Sequence, residues 1–310
     1  MKNNLIIIGN GFDVWQGLET SYDNFKNYYY EHRASILKKL FIRMHDIKWS
    51  DGHNQQLSDV ELIFGHPFDP DELSYEFWNT FETSLGEVEH ENINYFFGKE
   101  KSDLKDLSKS VKNARRILTK AFVEWIRTID IPKAEEQYRF NDTCTFLNFN
   151  YTDTLQKRFD VPEKDIYFIH GNARKKKSII FGHNTMPEPP DPFMKIIGGR
   201  FEGLYHISEM LYLTDKHIDE NIHDYIYYLA TYAICLKDIK NVYVLGHSFG
   251  EVDFEYFRFL IDATRETAEW NISCFSAKDE ERVRTTMEKL KFSHYKIFKT
   301  IDDCISDFRA

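Results

Sequence analysis

The chain has few helix-breaking residues and few thiols. Its 310 residues include 14 Gly, 8 Pro and 4 Cys, with 29% charged residues, which excludes collagen-like and disordered classes. Cys144, Cys235, Cys274 and Cys304 lie far apart and form no CxxC, so the usual zinc spacings and a dense disulfide framework are absent. Three of them sit in apolar runs, where a reduced cysteine acts as a small hydrophobe. No metal is expected. The longest apolar stretch, Tyr225 to Leu236, falls short of the ~20 residues of a membrane helix. The opening MKNNLIIIGNGFD has an apolar run too short for a signal peptide. Cationic excess is lacking as well: 40 basic residues against 50 acidic give −10, which argues against a global grip on nucleic acid or an anionic membrane. A reduced, cytoplasmic protein is expected. What is present in quantity is core material, 42% hydrophobic and 16% aromatic, enough for one or two domains.

Short, nearly continuous apolar runs at Leu5–Ile8, Cys144–Phe149, Ile166–Ile169, Ser178–Phe181, Val242–Leu245, Ile272–Phe275 and Tyr295–Phe298 suit strands covered on both faces, as in parallel sheets. Helical patterns separate several of them: Asp153–Phe159, His223–Lys237, Asp253–Trp270 and Asp279–Leu290. The stretch from Tyr22 to Ile129 reads differently, with helical patterns at Tyr22–Met44, Leu73–Val88 and Leu104–Ile129 and no clear strand. Its aromatics, Phe77, Trp78, Phe81, Phe122 and Trp125 among them, read as ordinary core packing, and Glu82 as a solvated flank position rather than an inward carboxylate. Met186–Pro192 reads as a Pro-rich loop, a hinge or rim. The expected architecture is α/β: residues 1–21 and 140–310 form a Rossmann-like core with a parallel sheet, and residues 22–139 form a large all-helical insertion after the first strand.

Four segments carry chemistry. Ile6-Ile7-Ile8-Gly9-Asn10-Gly11-Phe12-Asp13 runs a strand into GxG, where Gly9 permits a tight turn and Gly11 lets phosphate approach backbone N–H groups. The third glycine of a dinucleotide fingerprint is missing, Val14 taking its place, so a purely structural turn stays open. Asn148, Asn150 and Asp153 follow the Cys144–Leu147 run, either facing the ligand crevice of an open α/β sheet or capping the helix that follows. His170-Gly171 ends another strand, a place for a general base or a structural histidine. Gly246-His247-Ser248-Phe249-Gly250 is a literal GxSxG after a strand, the pattern of an α/β-hydrolase nucleophile. Only 62 residues follow Ser248, with His294 as the sole downstream histidine and Asp279 or Glu280 as a cramped acid.

Taken in order, IIIGNGFD with GLETSY close behind, FNYTDTL, IHGN and VLGHSFGEVD resemble the sirtuin-type NAD-binding fold, and most closely the AbiH family of phage abortive-infection proteins. The resemblance implies that Gly9 and Gly11 cradle the NAD phosphates, with Asn10 and Asp13 of the same segment at the cofactor. It implies that Asn150 lies beside the nicotinamide ribose, that His170 is the catalytic histidine with Gly171 beside the cofactor, and that Gly246, Ser248 and Asp253 form a late loop at NAD. The pattern also departs from the family. Residues 171–180 alone separate His170 from Phe181-Gly182, which leaves no room for a sirtuin zinc module and argues against protein deacylation. His183 stands where sirtuins carry a glutamate, and the Asn-Tyr-Asp motif reads Asn150-Tyr151-Thr152-Asp153. Asp153 joins Asn150 and His170 as a catalytic candidate, its role open between carboxylate and cap.

These implications converge on an antiphage abortive-infection effector that hydrolyses NAD, as substrate, to nicotinamide and ADP-ribose. Two alternatives are a nucleotide-binding sensor or other nucleotide-processing enzyme on the same fold, and a GxSxG serine esterase. A regulatory protein, a homo-oligomer or a phage-derived trigger is expected to hold such an activity in check.

Overall fold

A computed structural model describes residues 1–28, 31–32, 44–48, 54–58, 119–133, 138–175, 179–180, 182, 184, 191–197, 205, 208–209, 212 and 215–309. By its contacts the chain divides into two compact units. One comprises Met1–Ser21, Ile126–Ile180 and Ile218–Ala310; the other comprises Tyr22–Trp125 and Phe181–His217.

The first unit is built on six parallel strands, β1 (Asn4–Ile8), β4 (Cys144–Asn148), β5 (Ile166–Phe168), β6 (Asn241–Leu245), β7 (Glu269–Ser273) and β8 (Tyr295–Phe298), in spatial order β5-β4-β1-β6-β7-β8. Counted along the chain, these strands lie in the order 3-2-1-4-5-6 of doubly wound α/β sheets. β1 is central, with Ile6 opposite Phe146 on one side and Tyr243 on the other. The central strands β1 and β6 are apolar after their first residue because both faces are covered. Leu5, Ile7, Val242, Val244, Trp270 and Ile272 pack with Leu229, Phe257, Leu260, Val283 and Met287. Those partners come from helices α4 (Ile218–Thr231), α5 (Phe254–Thr264) and α6 (Ala277–Lys289). Alternate residues, Ile6, Ile8, Phe146, Tyr243 and Leu245, pack the other way. There they meet Phe12 of α1 (Asn10–Trp15), Leu155 of α2 (Thr154–Phe159) and the C-terminal Ile301, Ile305 and Phe308.

In the second unit, residues 22–28, 31–32 and 119–125 are helical, with Phe25 in ring contact with Phe122 and Trp125 at 5.1 and 5.2 Å. It also contains helix α3 (Pro192–Ile197). An antiparallel ribbon of β2 (Met44–Lys48) and β3 (Asn54–Ser58) corrects the all-helical reading of this segment. The helical pattern at Tyr22–Met44 therefore ends before Met44. MHDIK and NQQLS are mostly polar, so they carry no apolar strand signal. Leu73–Val88 with its aromatics and Glu82, residues 104–118 of the next helical pattern, the loop from Met186 to Pro190, Phe181 and His183 lie outside the described residues.

Other corrections fall within the sheet unit. Ile179 and Ile180 are not in a strand; the N–H of Ile180 instead reaches the carbonyl of His170. Trp270 belongs to β7 and not to the preceding helix, and the strand read at Ile272–Phe275 begins at Glu269. α5 stops because the carbonyl of Thr264 accepts from both Thr267 and Ala268, which turns the chain back toward the sheet. α4 runs from Ile218 and ends before Lys237, since Ala233 has φ 52°, a conformation no helix continues through. Among the described residues no helix is long and apolar enough to cross a membrane.

Candidate functional site

All four segments end at the carboxyl edge of the sheet, and the reversal of strand order falls between β1 and β6. The loops that follow these two strands are in backbone contact. The amide of Gly9 donates to the carbonyl of Leu245 at 2.9 Å and that of Gly11 to Gly246 at 2.7 Å. A Cβ on Gly9 would lie 2.5 Å from His247 Cα, and one on Gly11 2.8 Å from the Gly246 oxygen. These glycines make room for the backbone of another loop, and their N–H groups are engaged by its carbonyls. Ser273 at the end of β7 supports the same loop, its hydroxyl accepting from the Gly246 amide at 3.0 Å.

Asn150 joins β4 to this contact. Its Nδ2 donates to the Gly9 carbonyl at 3.0 Å, and its own amide donates to Asn148 Oδ1 at 2.8 Å. Beneath it, Asp13 is 1% exposed and accepts from the Thr152 hydroxyl at 2.6 Å. Burial pushes its carboxyl from the ordinary 3.8 up to about 6, against the hydrogen bonds of Thr152, Thr154 and Asn150 and the charge of Arg158.

This shift fixes a pH dependence. The folded state holds the Asp13 proton more tightly than the unfolded chain does. Its contribution is therefore complete below about pH 4 and lost as pH rises through about 6, a cost on the order of 3 kcal/mol at neutral pH. Asp13→Asn keeps an acceptor for Thr152 without the charge. It is expected to melt higher than wild type at pH 8, with the gap closing toward pH 4 in melting curves across that range. A gap independent of pH would mean that Asp13 does not titrate there.

His170, 3% exposed, and Asp253, 8% exposed, come together from the ends of β5 and β6, with Nε2 3.7 Å from Oδ1. The other carboxylate oxygen lies 3.5 Å from Nε2 of His247, a buried residue that the sequence reading passed over. Phe149 packs edge-on against both imidazoles, with centroids at 5.3 Å from His170 and 4.6 Å from His247. Gly171 beside His170 has φ 80°, which turns the chain at that strand end. Among the described residues no group of three or more His, Cys, Asp or Glu is arranged to hold a metal.

Asp153 is not brought to this cluster. It lies at the N-cap position of α2 without a capping hydrogen bond and pairs with Arg174 at 3.0 Å and Lys157 at 3.6 Å. Asn10, at the first position of α1, and Ser248, in the loop after β6, are both exposed.

The geometry of an esterase is missing around Ser248. A nucleophile elbow places its serine on a tight turn, whereas the left-handed residues of this loop are Gly246 and Phe249. His294 precedes β8, and its carbonyl accepts from the Trp270 amide, so in a parallel sheet it lies at the amino edge, opposite Ser248. Asp279 is committed to a capping box with Ser276.

The family model described as bacteriophage abortive infection AbiH matches residues 5–274, a span that takes in all four segments. Among curated proteins nothing matches the chain.

Proposed function

The chain belongs to the bacteriophage abortive infection family AbiH, and from that premise we propose that it is an antiphage effector that binds NAD and cleaves it to nicotinamide and ADP-ribose. The observation that carries this reading is the buried His170–Asp253 pair at the carboxyl edge of a 3-2-1-4-5-6 sheet, where such sheets bind nucleotides. In the reaction the C1′–N bond breaks and its electron pair passes to the nicotinamide ring nitrogen, cancelling the pyridinium charge. Water then bonds to the oxocarbenium carbon and gives its proton to His170. A positioned base contributes about 10²–10⁴-fold to such a step. Asn150 is the amide we assign beside the ribose. With the Gly9 and Gly11 amides engaged by Leu245 and Gly246, the side chains we assign to the diphosphate are those of Asn10 and Ser248.

NAD loss arrests the cell that suffers it, so the activity requires restraint by a regulatory protein, self-association or a phage-derived trigger. The test is the product profile of purified protein with NAD, read by chromatography, with thermal shift on the same samples. Nicotinamide and ADP-ribose in equal amounts are expected. A melting shift without cleavage would favour a nucleotide sensor, and the absence of both with NAD and NADP would end the NAD reading.

A further inference from the structure

The loop after β6 has a feature that nucleotide contact does not require. Two of its residues, Gly246 and Phe249, have left-handed backbones, φ 64° and 53°. At Phe249 this costs about 1–2 kcal/mol for an L-residue. The result is that the Phe249 amide donates to His247 Nδ1 at 2.9 Å. A ring nitrogen that accepts carries no proton, so the neutral ring bears its hydrogen on Nε2. That nitrogen lies 3.5 Å from Asp253 Oδ2. The remaining oxygen, Oδ1, faces Nε2 of His170. Each oxygen of this buried carboxylate thus has one imidazole nitrogen beside it, at 3.5 and 3.7 Å, close enough for charge–dipole attraction but longer than a hydrogen bond.

We propose that His247 is a positioning residue: held as the Nε2–H tautomer by the Phe249 amide, it fixes Asp253, which fixes His170 with its proton on Nε2 and its basic lone pair on Nδ1. The proposal rests on the reading of His170 as the base of NAD cleavage. It differs from a merely structural role, in which His247 would only tie the loop through Phe249.

Two substitutions separate these roles. In His247→Asn, Oδ1 occupies the place of Nδ1 and can still accept from Phe249, but nothing reaches Asp253. In His247→Gln, Nε2 occupies the place of the imidazole Nε2 and can still donate to Asp253, but the loop acceptor is lost. Positioning predicts that His247→Asn loses about 10- to 100-fold more NAD cleavage than His247→Gln. It also predicts that the ¹⁵N ring signals of His170 leave the single Nε2–H pattern in His247→Asn and keep it in His247→Gln. The reverse order, with His247→Gln the more damaged, overturns the proposal in favour of a loop anchor. Equal effects with unmoved His170 signals overturn it too. A wild-type protein that leaves NAD intact would sink the hydrolase reading alone, because the ring signals require no turnover and still decide the role of His247.

Discussion

Gly246→Ala is expected to destabilise the sheet unit by about 3–5 kcal/mol and to lower its melting temperature by roughly 6–20 °C. The added Cβ would fall 2.2 Å from the Phe12 nitrogen and 2.4 Å from the Gly11 carbonyl carbon, at a residue with φ 64°. The opposing atoms are all backbone at the start of α1, so no side-chain rotation relieves the overlap. Separating the two loops would stretch the Gly9–Leu245 and Gly11–Gly246 hydrogen bonds together. Gly17 is the control: its φ is 75°, but a Cβ there meets nothing within 4 Å. Gly17→Ala should therefore cost only the left-handed conformation, about 1–2 kcal/mol. Calorimetry on both variants decides the matter. Equal losses would mean that the loop contact contributes nothing beyond backbone conformation.

That contact also shows what a sequence pattern conveys. GxG after a strand says that space is needed where the chain turns, not what fills it. Phosphate is the occupant the motif suggests, yet the backbone of Gly246 and His247 is in the space. The sheet itself was legible, since β1, β4 and β6 are buried on both faces and so are apolar in nearly every position. The α5 stripe runs on into Trp270 in the sequence, and only pairing with Val242 and Tyr295 makes it a strand residue. The β2–β3 ribbon is polar and gave no period. His247 carries the same signal as His170, a histidine beside glycine at a strand end. The neighbouring Ser248 makes the segment a literal GxSxG, a pattern that points to the serine and not to the histidine.

Asn150→Ala and His170→Gln are each expected to lower NAD cleavage at least ~100-fold, and their stabilities should separate the reasons. Asn150 is 5% exposed and holds the Gly9 carbonyl through Nδ2, so its removal leaves that carbonyl with the Phe12 amide as its remaining donor, at a cost of about 0.5–1.5 kcal/mol for the lost hydrogen bond. The amide is thus both a candidate catalytic group and a pin of the β1 loop, and a variant with an unaltered fold is not what the geometry implies. His170→Gln retains a donor at the reach of Nε2 toward Asp253 but has no basic nitrogen. It should melt close to wild type while losing the proton acceptor for water. Activity must be compared well below both melting temperatures. If Asn150→Ala is destabilised yet cleaves NAD at the wild-type rate, Asn150 is only a pin and leaves the catalytic set. If His170→Gln cleaves at that rate, the base lies elsewhere, and the His170–Asp253–His247 arrangement serves packing alone.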